Sequence, residues 1–312
     1  MDFGASSTVW LARDLQGRRH MALKLFIRSQ SMGEQLDREV SIYKRISDAS
    51  STHPGRGAVR ELLDSFDIAG PEGLHRCLVH PPLWENLLTF LHRNPVGRLP
   101  VPVLAFILRR MFQALNFLHT ACQVVHTDIK ADNIMFGIED DSVFTAFEEE
   151  ELIDPCPRKT VDGRSIYVSR ELQIPKAWGA PVLCDLGSAV TGKVEHLEDV
   201  QPDIYGAPEV IVEAPWSYSI DIWNTGCVTL LQMGRSSHKF FTETGCCAVG
   251  NLHGADSGLL AGSSLEERQT SLEGDSQKKF LAMMRKMLQW EPSKRSSAKA
   301  LAEDGWIVDN IQ

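Results

Sequence analysis

Residues 126–133 read His-Thr-Asp-Ile-Lys-Ala-Asp-Asn. Three of them, Asp128, Lys130 and Asn133, carry a carboxylate, an ammonium and an amide. A loop that gathers these groups has the parts for moving a phosphoryl group. Asp128 would orient an attacking hydroxyl and accept its proton, Lys130 would place a cation near the transferred phosphoryl, and Asn133 would offer magnesium an oxygen ligand. The plain alternative is a polar turn with an Asx cap, but the eight-residue pattern is more specific than that.

A second carboxylate comes later in the chain. Val182-Leu183-Cys184 reads as a buried strand that delivers Asp185 to the turn Asp185-Leu186-Gly187. Asp185 is thus a second candidate ligand for magnesium bridging nucleotide phosphates. Lys24, in Met21-Ala22-Leu23-Lys24, stands among apolar neighbours on a predicted strand. Burying it is costly unless it is paired. Glu39, on the helix that follows, is the expected partner, and the pair would hold the ammonium on the α- and β-phosphates of ATP. Ahead of this strand, the small-residue loop Asp2 to Val9, with its single Gly4, is a weak candidate for backbone contact with phosphates.

These groups need elements to position them. Residues 8–12 and 20–27 read as strands, 32–46 as a helix, and 59–67 and 74–80 as further strands. Pro81-Pro82 breaks the pattern. The order divides the chain into a strand-rich lobe (1–80), a connector (81–83) and a helix-rich lobe (84–312), an α+β architecture. Helices are expected over 84–93, 101–120, 219–233, 276–289 and 296–303. Residues 137–180, with the acidic run Glu148 to Glu151 and several prolines, read as a spacer insertion with local structure only. The Gly- and Ser-rich stretch 234–275 supports no assignment.

With 312 residues, 43% of them hydrophobic and 23% charged, the chain has the composition of a soluble globular protein with room for two cores. The first residues lack the layout of a signal peptide, and no uninterrupted apolar run spans a bilayer. Seven cysteines without ligand-like spacing point to reduced thiols in the cytoplasm or nucleus and away from a zinc site. The net charge of −9, from 32 basic and 41 acidic residues, disfavours direct nucleic-acid binding and suits a basic peptide partner. No membrane association is expected.

Taken in order, these segments resemble a protein kinase, and more narrowly the SR-protein kinases and their fungal relatives. The narrower likeness rests on His-Thr-Asp-Ile-Lys, on Asp-Leu-Gly-Ser-Ala at 185–189, on Gln-Pro-Asp-Ile-Tyr-Gly-Ala-Pro-Glu at 201–209, and on the spacer. It implies a two-lobed serine/threonine kinase fold whose first strand is largely missing, with ATP and magnesium as cofactors. It implies an Arg/Ser-rich protein substrate, a place in mRNA splicing regulation, and a monomer. Ala207, Pro208 and Glu209 would close the activation segment, Glu209 would pair with Arg295, and Asp221 would brace the catalytic loop. Leu78 to Leu83 would line the adenine pocket with His80 at its back. Prolines cannot donate, yet Pro81 can accept through its carbonyl and Leu83 has a free N–H. Val9, Ala22 and Met135 would sandwich the base.

Some features depart from the family. Thr127 stands where many kinases have an arginine that grips an activation-loop phosphate, as it does in the SR-protein kinases, so no activation-loop phosphorylation is expected to be required. Asp2 replaces the first loop glycine, where its charge would repel phosphates. Gly206 replaces an arginine, and the region after Trp223 is short. A truncated or mis-spliced product, or a catalytically impaired pseudokinase or scaffold, is the alternative these departures raise.

Overall fold

A computed structural model describes residues 2–3, 7–26, 33–49, 52–70, 73–95, 97–161, 164–202, 205–233, 265 and 272–311. The strand-rich part forms one antiparallel sheet from β1 (Asp2–Phe3), β2 (Ser7–Asp14), β3 (Arg19–Phe26), β4 (Asp64–Gly70) and β5 (Gly73–His80), in the order β1-β2-β3-β5-β4. The first strand is reduced to two residues, paired through Asp2↔Val9 and Phe3↔Thr8. Central β3 carries Lys24 between Val9 of β2 and Leu78 of β5. Helix α1 (Gly33–Asp48) packs on the sheet, burying Ile42, Tyr43 and Ile46 at i, i+1 and i+4 with Glu39 among them.

The strand read at 59–67 starts later than its apolar residues suggest. Val59 forms only an isolated parallel bridge with Leu183, and β4 begins at Asp64. Arg60 and the residues just before Val59 instead tie the sheet to the helical part. Arg60 N donates to Leu183 O at 2.9 Å, and the Arg110 guanidinium donates to the Gly57 carbonyl. Gly55 lies so close to α3 that a Cβ there would fall 1.8 Å from Gln113 O.

The helical part begins with α2 (Leu87–Arg93), capped by the Asn86 side chain accepting from Thr89 N at 2.8 Å, and α3 (Val101–Asn116), which runs on through a π-helical turn to Cys122. Residues 101–122 are long and apolar enough to cross a membrane, but Leu104, Ile107, Met111, Phe112 and Leu115 are buried in the core, so this hydropathy marks a core helix. Around α3 lie β6 (Val124–Val125), β7 (Ile134–Ile138), β10 (Trp178–Leu183), β11 (Val190–Thr191), α5 (Pro208–Ile211), α6 (Ser219–Met233) and the helices Gly274–Met287, Ala298–Ala302 and Gly305–Asn310.

The spacer corrects the expectation of purely local structure. It forms α4 (Ser142–Ile153) and a hairpin of β8 (Arg158–Val161) with β9 (Arg164–Tyr167). Both fasten to the sheet. His20 of β3 stacks on Phe144 (centroids 4.7 Å apart) with its Nε2 2.9 Å from Glu148 Oε1, and Trp10 of β2 meets Tyr167 edge to face at 5.8 Å. Arg93 of α2 pairs with Glu171 at 2.5 Å. Within the acidic run, Glu148 meets Arg13 and the His20 ring from the sheet, while Glu150 and Glu151 meet Arg170 of the spacer itself.

Candidate active site

Two antiparallel strands set the centre. Ile134 of β7 pairs with Leu183 of β10, so Asn133 lies just before one strand and Asp185 two residues after the end of the other. Cys184 N donates to Asn133 O at 2.8 Å and locks that register. The sequence places these residues 52 positions apart; the strand pair brings their loops side by side.

Within the loop, Asp128 Oδ2 accepts from Lys130 Nζ and from Asn133 Nδ2, each at 2.9 Å, and Asn133 Nδ2 also donates to Asp128 O at 2.8 Å. One carboxylate oxygen is therefore fixed by two donors. Oδ1 has no hydrogen-bond donor among the described residues and stays available to a hydroxyl proton. The Asn133 amide, held by its nitrogen, keeps its oxygen uncommitted.

The loop backbone is held from below by Asp221 at the start of α6. Its side chain is fully buried and accepts from His126 N (2.8 Å), Thr127 N (2.9 Å) and His119 Nε2 (2.9 Å). The helix N-terminus adds favourable partial charge to this carboxylate. Thr127 takes φ +67° and Asp185 φ +61°, left-handed conformations that side chains rarely adopt, and both lie in this network. Thr127 Oγ1 donates to Ser188 O at 2.9 Å, and His126 Nε2 lies 3.1 Å from Cys184 O. The loop thus grips the start of the following segment through its own side chains.

Lys24 Nζ donates to Glu39 Oε1 (2.9 Å) and Oε2 (3.0 Å) and lies 3.4 Å from Asp185 Oδ1. Burial pushes the Glu39 carboxyl above its usual range, and Lys24 offsets this in part. At Asp185 burial also acts upward, but Lys24, the Gly187 N–H and His126 together hold the carboxyl below its usual value. It stays anionic at neutral pH, with its side chain 48% exposed. Asp185 Oδ2 and the Asn133 amide oxygen have no donor among the described residues. Two hard oxygen ligands that leave several positions to water and phosphate suit magnesium, which rarely occupies an all-protein cage.

The remaining predicted residues fall on the elements around this centre. Val9 sits opposite Lys24 on β2, Ala22 opposite His80, and Met135 on β7 bridges to Asn86. Pro81 and Leu83 lie in the connector, which Trp84 N closes by donating to Phe136 O at 2.8 Å. Gly4 lies outside the described residues. Ala207 and Pro208 open α5, and Glu209 takes both Arg295 guanidinium nitrogens, at 2.5 and 2.7 Å, in a buried bidentate pair laid against the Trp223 ring.

The sequence assigns two residues no role. His119 looks like one more position of an apolar helix, and Gln201 stands only as the first residue of the run 201–209. In the fold His119 completes the Asp221 network, while Gln201 donates to Ile220 O (3.0 Å) and accepts from Ala207 N (2.8 Å), pinning the segment ahead of α5.

Comparison with known proteins agrees with this geometry. A sequence model described as the protein kinase domain matches residues 3–307. A serine/threonine protein kinase of Aspergillus fumigatus is 34% identical over 343 aligned residues, covering 99% of this chain and 83% of that protein. The serine/threonine-protein kinase SRPK of Physarum polycephalum is 25% identical over 366, covering 99% and 84%. Mouse SRSF protein kinase 3 is 35% identical over 140 residues, covering 45% of this chain and 25% of its own length. A crystal structure of a kinase domain superposes with a TM-score of 0.67 at 19% identity, over 98% of this chain and 93% of that one, which speaks to fold alone. The chain belongs to the serine/threonine protein kinase family, among relatives of the SRPK type.

Proposed function

We propose that this protein transfers the γ-phosphoryl of ATP to serine or threonine hydroxyls of Arg/Ser-rich proteins. The observation that carries the proposal is the Asp128 carboxylate. One of its oxygens is fixed by Lys130 and Asn133, and the other is left to accept a proton. Asp128 then acts as general base, Lys130 balances charge on the transferred group, and Lys24, aligned by Glu39, positions the α- and β-phosphates. Asn133 and Asp185 would hold magnesium, which screens the phosphate charges when bound. The strand-rich lobe (1–80), the connector (81–83) and the helical lobe (84–312) divide nucleotide binding from substrate binding. The net charge of −9 supports a basic substrate, as do the relatives named for SR-type substrates. Free thiols at Cys77, Cys122 and Cys184 support a cytoplasmic or nuclear setting.

The test is magnesium-dependent phosphorylation of an Arg-Ser repeat peptide by the chain, by Asp128→Ala and by Lys24→Met. Each variant is expected to lose on the order of a hundredfold or more. Equal rates in all three proteins would sink the enzyme reading. Nucleotide binding without transfer would favour a scaffold, and preference for acidic peptides would remove the proposed substrate class.

A further inference from the structure

The sequence holds four Arg-Ser steps: Arg28-Ser29, Arg164-Ser165, Arg235-Ser236 and Arg295-Ser296. The first and third lie outside the described residues. At the fourth, Arg295 is buried in its pair with Glu209 and Ser296 N donates to Lys286 O at 2.9 Å, so that step is closed. Arg164-Ser165 is the open one. It stands on β9, and Ser165 is exposed.

The hairpin that carries it has the properties of a peptide acceptor. No third strand joins β8 and β9 among the described residues, and every residue of β8 is exposed. A two-stranded ribbon of this kind is marginal by itself, so its strands can part, and β9 is already extended. Ser165 stands opposite Thr160. Arg158 and Lys159 of β8 have no ion pair among the described residues. Residues 158–164 hold three basic side chains and one acidic one, in a chain whose net charge is −9. A basic segment with a free hydroxyl is what an acidic second copy attracts.

We propose that Ser165 is a phosphorylation site on which one copy of this chain acts on another. The inference rests on the proposed kinase activity and extends it to the chain's own spacer. The Ser165 Oγ–P bond forms as the bond from the γ-phosphorus to the β–γ bridging oxygen breaks. The hydroxyl proton passes to Asp128 of the other copy, and ADP leaves. Transfer runs between copies because Tyr167, two positions on, lies edge to face on Trp10 at 5.8 Å and keeps Ser165 on its own strand-rich lobe. The folded hairpin accommodates the product. Arg158 pairs with Tyr167, which sets it on the same face as Ser165 and diagonal to it, where its charge answers a phosphate.

The acceptor for the test is the full Asp128→Ala chain, which makes no transfer of its own, labelled with heavy nitrogen so that its fragments are told apart. It is incubated with the unlabelled active chain, magnesium and ATP, beside a second tube in which an Arg-Ser repeat peptide replaces it. Mass spectrometry of proteolytic fragments locates the phosphate. The labelled acceptor is expected to gain phosphate at Ser165, at a rate that rises with the concentration of active chain. Asp128→Ala with Ser165→Ala should lose that phosphate, and Asp128→Ala with Ser165→Thr should keep it. Modified peptide with a bare Ser165, phosphate confined to other residues, or phosphate at Ser165 of the active chain alone overturns the inference and leaves the kinase reading standing. Transfer to neither acceptor sinks both.

Discussion

Lys24 and Glu39 meet from a strand and a helix, the ammonium donating to both carboxylate oxygens at 2.9 and 3.0 Å with the Glu39 side chain 1% exposed. Removing either partner leaves a buried charge unanswered. Lys24→Met is expected to cost about 3–5 kcal/mol of stability, and Lys24→Met with Glu39→Gln markedly less, because the second change removes the orphaned charge. Urea unfolding of the single and double variants measures this. A double variant no more stable than Lys24→Met would show that the pair's burial is not what sets the cost.

His80 gives a pH dependence with a definite sign. It is 1% exposed, its Nδ1 lies 2.7 Å from Glu61 O, and burial pulls its pKa from 6.5 to about 3. Below pH 6.5 the unfolded chain takes up a proton that the folded one refuses. Stability from this residue is therefore full above pH 6.5 and is lost as pH falls towards 3, at about 1.4 kcal/mol per pH unit. From pH 7.5 to 5.5 the loss is roughly 1.4 kcal/mol. His80→Phe should remove that share of the pH slope in chemical denaturation. Parallel slopes for the two proteins would refute it.

The spacer helix bears weight in the fold. Phe144 is 1% exposed and stacked on His20 of the sheet. Phe144→Ala should destabilise by about 3–5 kcal/mol, as truncation of a core aromatic does. The exposed Leu152 of the same helix, changed to Ala, should fall within about 0.5 kcal/mol of wild type. Similar small effects at both positions would mean that the helix does not pack as described.

Thr127 fastens the catalytic loop to Ser188 without any added phosphate. Phosphatase treatment should therefore leave the rate on an Arg-Ser peptide unchanged, while Thr127→Val should lower it by removing the donor. Activity that disappears on dephosphorylation would contradict this role.

Much of the centre was legible in the sequence because its parts are local. Asp128, Lys130 and Asn133 are bonded within a span of six residues, so their spacing alone predicts the constellation that the fold shows. Lys24 and Glu39 were legible because an apolar strand with one lysine, followed by a helix with a glutamate on its buried face, leaves few other ways to answer the charge. Strand onset near residue 59 was not legible, since Val59 and Leu62 have the residue types of a strand while the backbone around them bonds to Leu183.

The sequence by itself determined the chemical groups, their order, and the alternation that makes sheet and helices. Only the tertiary structure decided which distant groups would meet. Asp221, which only the family resemblance assigns to the loop, reaches it across about ninety residues, His119 joins it from within an apolar helix, and Arg13 and His20 of the sheet meet Glu148 of a spacer that reads as local structure only. The physical reason is that propensity and periodicity act over a few neighbouring residues. Pairing a buried charge depends instead on packing, which alone fixes which donor stands within about 3 Å of which acceptor. Arg60 is the converse case: packing covered its donor and left it without an acceptor from the described chain.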